Sequence, residues 1–152
     1  MGGDRDGAEG LRAFLGRDHQ RLQALLAELL DEFEQGNRDD VRGMWDRFET
    51  GLSAHLAAEE EHLMPLFAKV EPAEAAELLA DHAAFRRRLE DLGVGIDLHA
   101  VKLAAAREFV EALRAHSRRE DRLLYRWAEG IGRPGPAEIE RALSEAAGKR
   151  RG

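Results

Sequence analysis

Apolar residues recur along most of the chain at spacings of three and four, the period of amphipathic α-helices. From about Ala8 to Gln35, Leu15, His19, Leu22, Leu26, Leu29 and Phe33 fall on one face. Gly36 breaks this helix, and Asn37 reads as the N-cap of a second, with Asp39 and Asp40 in its favourable first turn. The second stripe is Trp45, Phe48, Leu52, His55, Glu59 and Leu63. Pro65 falls inside this helix, where a missing N–H should bend or end the regular part shortly before Val70. Pro72 suits the opening turn of a third helix with the stripe Leu78, His82, Phe85, Leu89 and Leu92, which Gly93-Val94-Gly95 should close. Asp97 reads as the cap of a fourth, with Phe109, Leu113, His116, Glu120, Leu123 and Trp127. Gly130, Gly132, Pro134 and Gly135 mark a turn region, followed by a short helix from Pro136 to Ala147.

Four long helices with short connections predict an all-α fold, an antiparallel up-down-up-down four-helix bundle with a short C-terminal helical extension. The expected division is a flexible N-terminus over 1–10, the bundle over 11–129, and a turn, short helix and basic tail over 130–152. With 152 residues, one domain can bury a core without staples.

The chain contains no Cys, so thiolate chemistry, disulfides and sulfur-ligated metals are excluded, and any metal must be held by nitrogen and oxygen. No stretch approaches the roughly 18 apolar residues of a membrane span, and the acidic first ten residues lack the apolar run of a signal peptide. A cytoplasmic protein with no membrane partner is expected. A net charge of −7 opposes a phosphate backbone. The short basic clusters Arg86-Arg87-Arg88 and Lys149-Arg150-Arg151 read as a solvated face and a frayed tail, so no nucleic-acid partner is expected.

The chemistry lies in what interrupts the apolar stripes. Each of the four carries a histidine where leucine would be expected, and two add a glutamate one turn later: His19, His55 with Glu59, His82, and His116 with Glu120. The pattern repeats internally. Asp18-His19 corresponds to Asp81-His82 at an offset of 63, and His55, Glu59, Glu60 and Leu63 correspond to His116, Glu120, Asp121 and Leu124 at an offset of 61. Residues four apart on a helix stand about 40° and 6 Å from one another, so each His-x-x-x-Glu pair shares a face. Buried carboxylates demand a cation, and imidazole with carboxylate and no sulfur suits Fe, Mn or Zn. A single histidine on an apolar stripe is ordinarily a satisfied core residue; six such positions, internally repeated, point to two metals.

These motifs resemble the hemerythrin-like, or HHE cation-binding, family. The resemblance is carried by Asp18-His19-Gln20-Arg21-Leu22, by His55 through Glu59-Glu60-Glu61 into Leu63-Met64-Pro65-Leu66, by Asp81-His82, and by His116 through Glu120-Asp121, over roughly residues 11–128. It implies two iron ions in an Fe–O–Fe centre, possible replacement by Mn or Zn, two bridging glutamates, and interaction with O₂, H₂O₂ or NO. Oxygen-carrying hemerythrins have a second third-helix histidine one turn after the first; Arg86 stands there in this chain and has no lone pair for a metal. With two imidazoles per metal, both metals would keep an open place, an arrangement suited to turning over peroxide, O₂ or NO. The competing readings are a reversible O₂-binding or iron- or oxygen-sensing module without catalysis, and a metal-free helical interaction domain. A monomer or homodimer is expected.

Several residues have more than one reading. His62 shares the stripe of His55 and Glu59 but lies about 10 Å along the axis from His55, which favours a supporting or surface role. Asp121 competes with Glu120 for the metal, and Glu120 is preferred because it repeats Glu59. His99 lies too far from His116 to share its site. Asp18 and Asp81 orient neighbouring imidazoles or are plain exposed acids. Leu22, Leu52, Phe85, Leu113 and Leu123 are expected to wall a dry pocket, and Tyr125 and Trp127 read as core or interface aromatics near the bundle end, with redox chemistry a distant alternative for Tyr125.

Overall fold

The computed structural model describes residues 10–37, 39–131 and 134–151, with side chains as far as Gly148. Residues 1–9 of the expected flexible N-terminus, Gly132 of the turn region, and the side chains of Lys149-Arg150-Arg151 therefore lie outside the described residues. The described residues are helical and contain no strand. The elements are α1 (Leu11–Glu34), α2 (Val41–His62), α3 (Met64–Val70), α4 (Pro72–Asp97), α5 (Leu103–Glu120), a π-helical segment (Asp121–Tyr125), α6 (Arg126–Ile131) and α7 (Pro136–Arg151).

The buried residues form two apolar clusters. One contains Leu22, Leu26, Phe48, Leu52, Phe85, Leu89, Phe109 and Leu113. The other contains Leu11, Leu15, Leu63, Met64, Phe67, Leu78, Leu124 and Tyr125. Along each long helix the chain crosses from one cluster to the other at a buried polar residue: between Leu15 and Leu22 at His19, between Leu56 and Leu63 at Glu59, one turn after His55, between Leu78 and Phe85 at His82, and between Leu113 and Leu124 at His116 and Glu120. The four histidines thus occupy the seam between two greasy layers. Helix α1 lies against α2 and α5, and α4 packs against α2, α3 and α5.

Several expected boundaries move. The N-cap of α2 is Asp40, not Asn37, so Asp39 and Asp40 precede the helix. Asn37 instead folds back on α1, where its side-chain amide donates to Glu32. Pro65 does not sit inside α2; the helix stops at His62, and Pro65 enters the opening turn of α3, where its missing N–H costs nothing. Gly93-Val94-Gly95 does not close α4, which runs on to Asp97. The glycines serve close packing, since a Cβ on Gly93 would stand 3.1 Å from the Trp45 ring and one on Gly95 3.3 Å from the Ala100 carbonyl oxygen. Asp97 ends α4 rather than capping α5, whose N-cap is Lys102, and it accepts a hydrogen bond from Arg42 of α2. Gly130 lies within α6.

The C-terminal helix is longer than expected, reaching Arg151, and lies along α2. It inserts Ile139, fully buried, into the second cluster. No helix among the described residues is long and apolar enough to cross a membrane.

Candidate metal centre

His19, His55, Glu59, His82, His116 and Glu120 are the buried polar residues of the described chain, none more than 7% exposed. They form two groups of convergent donor atoms: His19, His55, Glu59 and Glu120, and Glu59, His82, His116 and Glu120. The two glutamates belong to both. Within each group the donor atoms lie within 4.8 Å of one another. The internal repeat explains the division, because α1 and α2 supply the imidazoles of the first group and α4 and α5 those of the second. The ring centroids stand 4.3 Å apart for His19 and His55 and 5.1 Å for His82 and His116.

Carboxylates outside the seam orient three of the rings. Asp18 lies 2.7 Å from His55 Nδ1, Asp81 lies 2.8 Å from His116 Nδ1, and Glu60 lies 2.8 Å from His82 Nδ1. With Nδ1–H donating outward, Nε2 keeps its lone pair for the interior, the tautomer a metal requires. Asp18 and Asp81 therefore do not act on the adjacent residue in sequence; each reaches across its own hairpin. Glu60 is held by Arg86, which donates to it at 2.6 and 2.9 Å. Arg86 thus supports His82 from outside. Asp121, the repeat of Glu60, accepts two 2.8 Å hydrogen bonds from Arg12 and belongs to neither donor group.

The electrostatics shows how strongly the seam calls for positive charge. Burial opposes the charge on Glu59 and Glu120, and Glu59 adds repulsion at Glu120, yet the facing imidazoles outweigh this. Glu120 is held at about 2 and Glu59 well below its ordinary value. Burial likewise opposes charge on the rings, but the carboxylates push His55 up to about 10 and His82 up to about 11. Glu60 is drawn down to about 2 against its burial by His82 and Arg86.

Hydrogen bonding does not satisfy the seam. Glu59 Oε1 and His116 Nε2 are buried without a hydrogen-bond partner. Each has a close neighbour, His82 Nε2 at 3.1 Å and Glu120 Oε2 at 3.0 Å, but not at the angle a hydrogen bond needs. Two buried atoms left unpaired where carboxylate oxygens and imidazole nitrogens converge is what a cation site without its cation leaves, and the residues fit a metal on that ground.

Tyr125 was expected to be a core or interface aromatic, and its place at the site was missed. It is fully buried, and its hydroxyl stands among the ligand atoms, 2.7 Å from His19 Nε2, 3.1 Å from His55 Nε2 and 3.0 Å from Glu120 Oε1, with Glu59 also in contact. In a regular α-helix a residue five after Glu120 points about 140° away from it. The π segment Asp121–Tyr125 absorbs one extra residue and turns Tyr125 inward. The repeat did carry a signal: at the offset of 61, the position after Leu63 and Leu124 pairs Met64 with Tyr125, and both are buried. Tyr125 contacts the imidazoles of the first donor group, His19 and His55, but neither His82 nor His116, so the two groups are not equivalent.

Of the other candidates, His62 lines a surface groove between α2, α4 and α7 and stays outside both donor groups. His99 lies in the α4–α5 connection with a positive φ of 54°. Leu22, Leu52, Phe85 and Leu113 do wall a small cavity of about 10 Å³ against His19, His55 and His116. Leu123 does not; it is half-buried and packs with the second cluster, as does Trp127.

Neither a curated protein nor a solved structure matches the chain. The hemerythrin HHE cation-binding domain matches it over residues 11–128, from the first residue of α1 into α6. With that span and a buried His/Glu cluster at the seam of its helical bundle, the chain belongs to the hemerythrin HHE cation-binding domain family.

Proposed function

We propose that this chain is a non-haem di-iron protein that binds H₂O₂, O₂ or NO and turns it over. The observation that carries the reading is the sharing of Glu59 and Glu120 by two donor groups, each completed by two imidazoles of its own. His19 and His55 hold one ion, His82 and His116 the other, and the two glutamates serve both. The reading includes the antiparallel up-down-up-down course of α1, α2, α4 and α5, supported by the alternating order in which they traverse the two apolar clusters.

Bound iron supplies the redox chemistry; the chain supplies position and exclusion of water. Asp18, Asp81 and Glu60 fix the imidazole tautomers. Arg86 occupies the place of a further histidine and engages Glu60, leaving the second donor group without another imidazole. The cavity walled by Leu22, Leu52, Leu56, Phe85 and Leu113 has room for about one water molecule, so it suits a diatomic or peroxide rather than an organic substrate.

Turnover is tested with iron-loaded protein in a peroxide-consumption assay, alongside stopped-flow mixing of the reduced form with O₂. Sustained consumption is expected. A stable, reversible O₂ adduct with no peroxide consumed would overturn turnover in favour of a carrier or sensor.

A further inference from the structure

The hydroxyl of Tyr125 has four neighbours, His19, His55, Glu59 and Glu120, and these are the four residues of the first donor group. His82 and His116, which complete the second group, are not among its partners. A phenol has one proton to donate and two lone pairs, so it can serve at most three of those neighbours. Two are carboxylate oxygens that only accept, and two are the ring nitrogens His19 Nε2 and His55 Nε2, which offer lone pairs once a metal displaces the ring proton. With that proton displaced, four acceptors around one phenolic proton make a poor hydrogen-bond site and a good cation site.

The separations agree. Donors that share one octahedral cation at about 2.1 Å stand about 3 Å apart when adjacent, and the phenol oxygen lies 2.7, 3.0 and 3.1 Å from three prospective donors. The local structure is also specific to this end. The repeat position on α3 is Met64, which has no oxygen to offer, and the regular helix after Glu120 gives way to a π segment that brings Tyr125 inward.

We propose that Tyr125 is a phenolate ligand to the cation held by His19, His55, Glu59 and Glu120, so that the two metal positions are chemically distinct. This rests on the di-iron reading above. Ligation replaces the phenolic proton with the metal, and the proton leaves to solvent. The first position then has a protein oxygen where the second, with His82 and His116, keeps its open place. The small apolar cavity belongs to the first cluster, whereas Tyr125 belongs to the second, so the phenol does not fill the space available to a small ligand.

The test is resonance Raman spectroscopy of the ferric protein, excited in the visible phenolate-to-iron charge-transfer band, with iron per chain measured on the same sample. Tyr125 is the only tyrosine in the chain, so tyrosinate ring modes in the wild-type protein assign themselves without a variant. The modes and the visible band are expected in wild type and lost in Tyr125→Phe, with helicity checked by circular dichroism. Two irons per chain with no tyrosinate modes would overturn the ligand assignment and leave the di-iron reading standing. Failure to bind iron would overturn both.

Discussion

At the scale of single residues, Glu59 and Glu120 differ from the four histidines in belonging to both donor groups. The two kinds of substitution should therefore separate. Replacing His116 with Ala removes a donor from one group only and is expected to leave about one metal per chain, while Glu59→Ala should empty both positions, read as metal per chain by mass spectrometry. Asp18 and Asp81 act only through His55 and His116. Asp81→Asn keeps shape but loses the carboxylate that fixes the ring, and is expected to weaken metal binding roughly 10- to 100-fold in a chelator competition. The six donors were legible in the sequence because an imidazole or carboxylate on an apolar stripe breaks a periodic pattern. Tyr125 was not, because it is itself an acceptable core residue and reaches the site only through a π segment that the 3.6-residue period cannot register.

At the scale of elements, the four long helices were readable from spacing alone, but their ends were not. Gly93 and Gly95 look like a stop signal; in the structure they let Trp45 and the Ala100 carbonyl approach α4, a tertiary reason that local sequence does not contain. Pro65 and the π segment break regularity at matching places after the two His-x-x-x-Glu pairs, by different means. Helix α7 was expected to be short, and its true extent follows from packing on α2. Ile139, wholly buried in the second cluster beside α1, α3 and the π segment, anchors it. Ile139→Ala is expected to destabilise the protein by about 2–4 kcal/mol in urea unfolding, the usual cost of such a cavity. Little change would mean that α7 adds nothing to the core.

At the scale of the whole molecule, two similar helical hairpins enclose one polar layer between two apolar ones, and the charge of that layer governs stability. In metal-free protein His55 and His82, with pKa values of about 10 and 11 against an ordinary 6.5, bind protons more tightly when folded. The stability they add is complete below about pH 6.5 and is lost as pH rises through 10 to 11. Glu60 and Glu120, held at about 2, contribute above their ordinary 4.5 and lose that contribution as pH falls toward 2. Chelator-treated protein should therefore melt highest between about pH 5 and 6.5 and lower on either side. Metal-loaded protein should melt higher than the metal-free form at neutral pH and lose less on the alkaline side, since bound cations replace the ring protons. Thermal melts of both forms across pH check this.

The most direct test of the two-cation centre is native mass spectrometry of protein expressed with ample iron, counting metals on each intact chain. Two metals per chain are expected in the wild type. Fewer than one, in protein that is folded and helical, would contradict the account and leave a helical interaction domain whose buried glutamates are paired with histidines and Tyr125 alone.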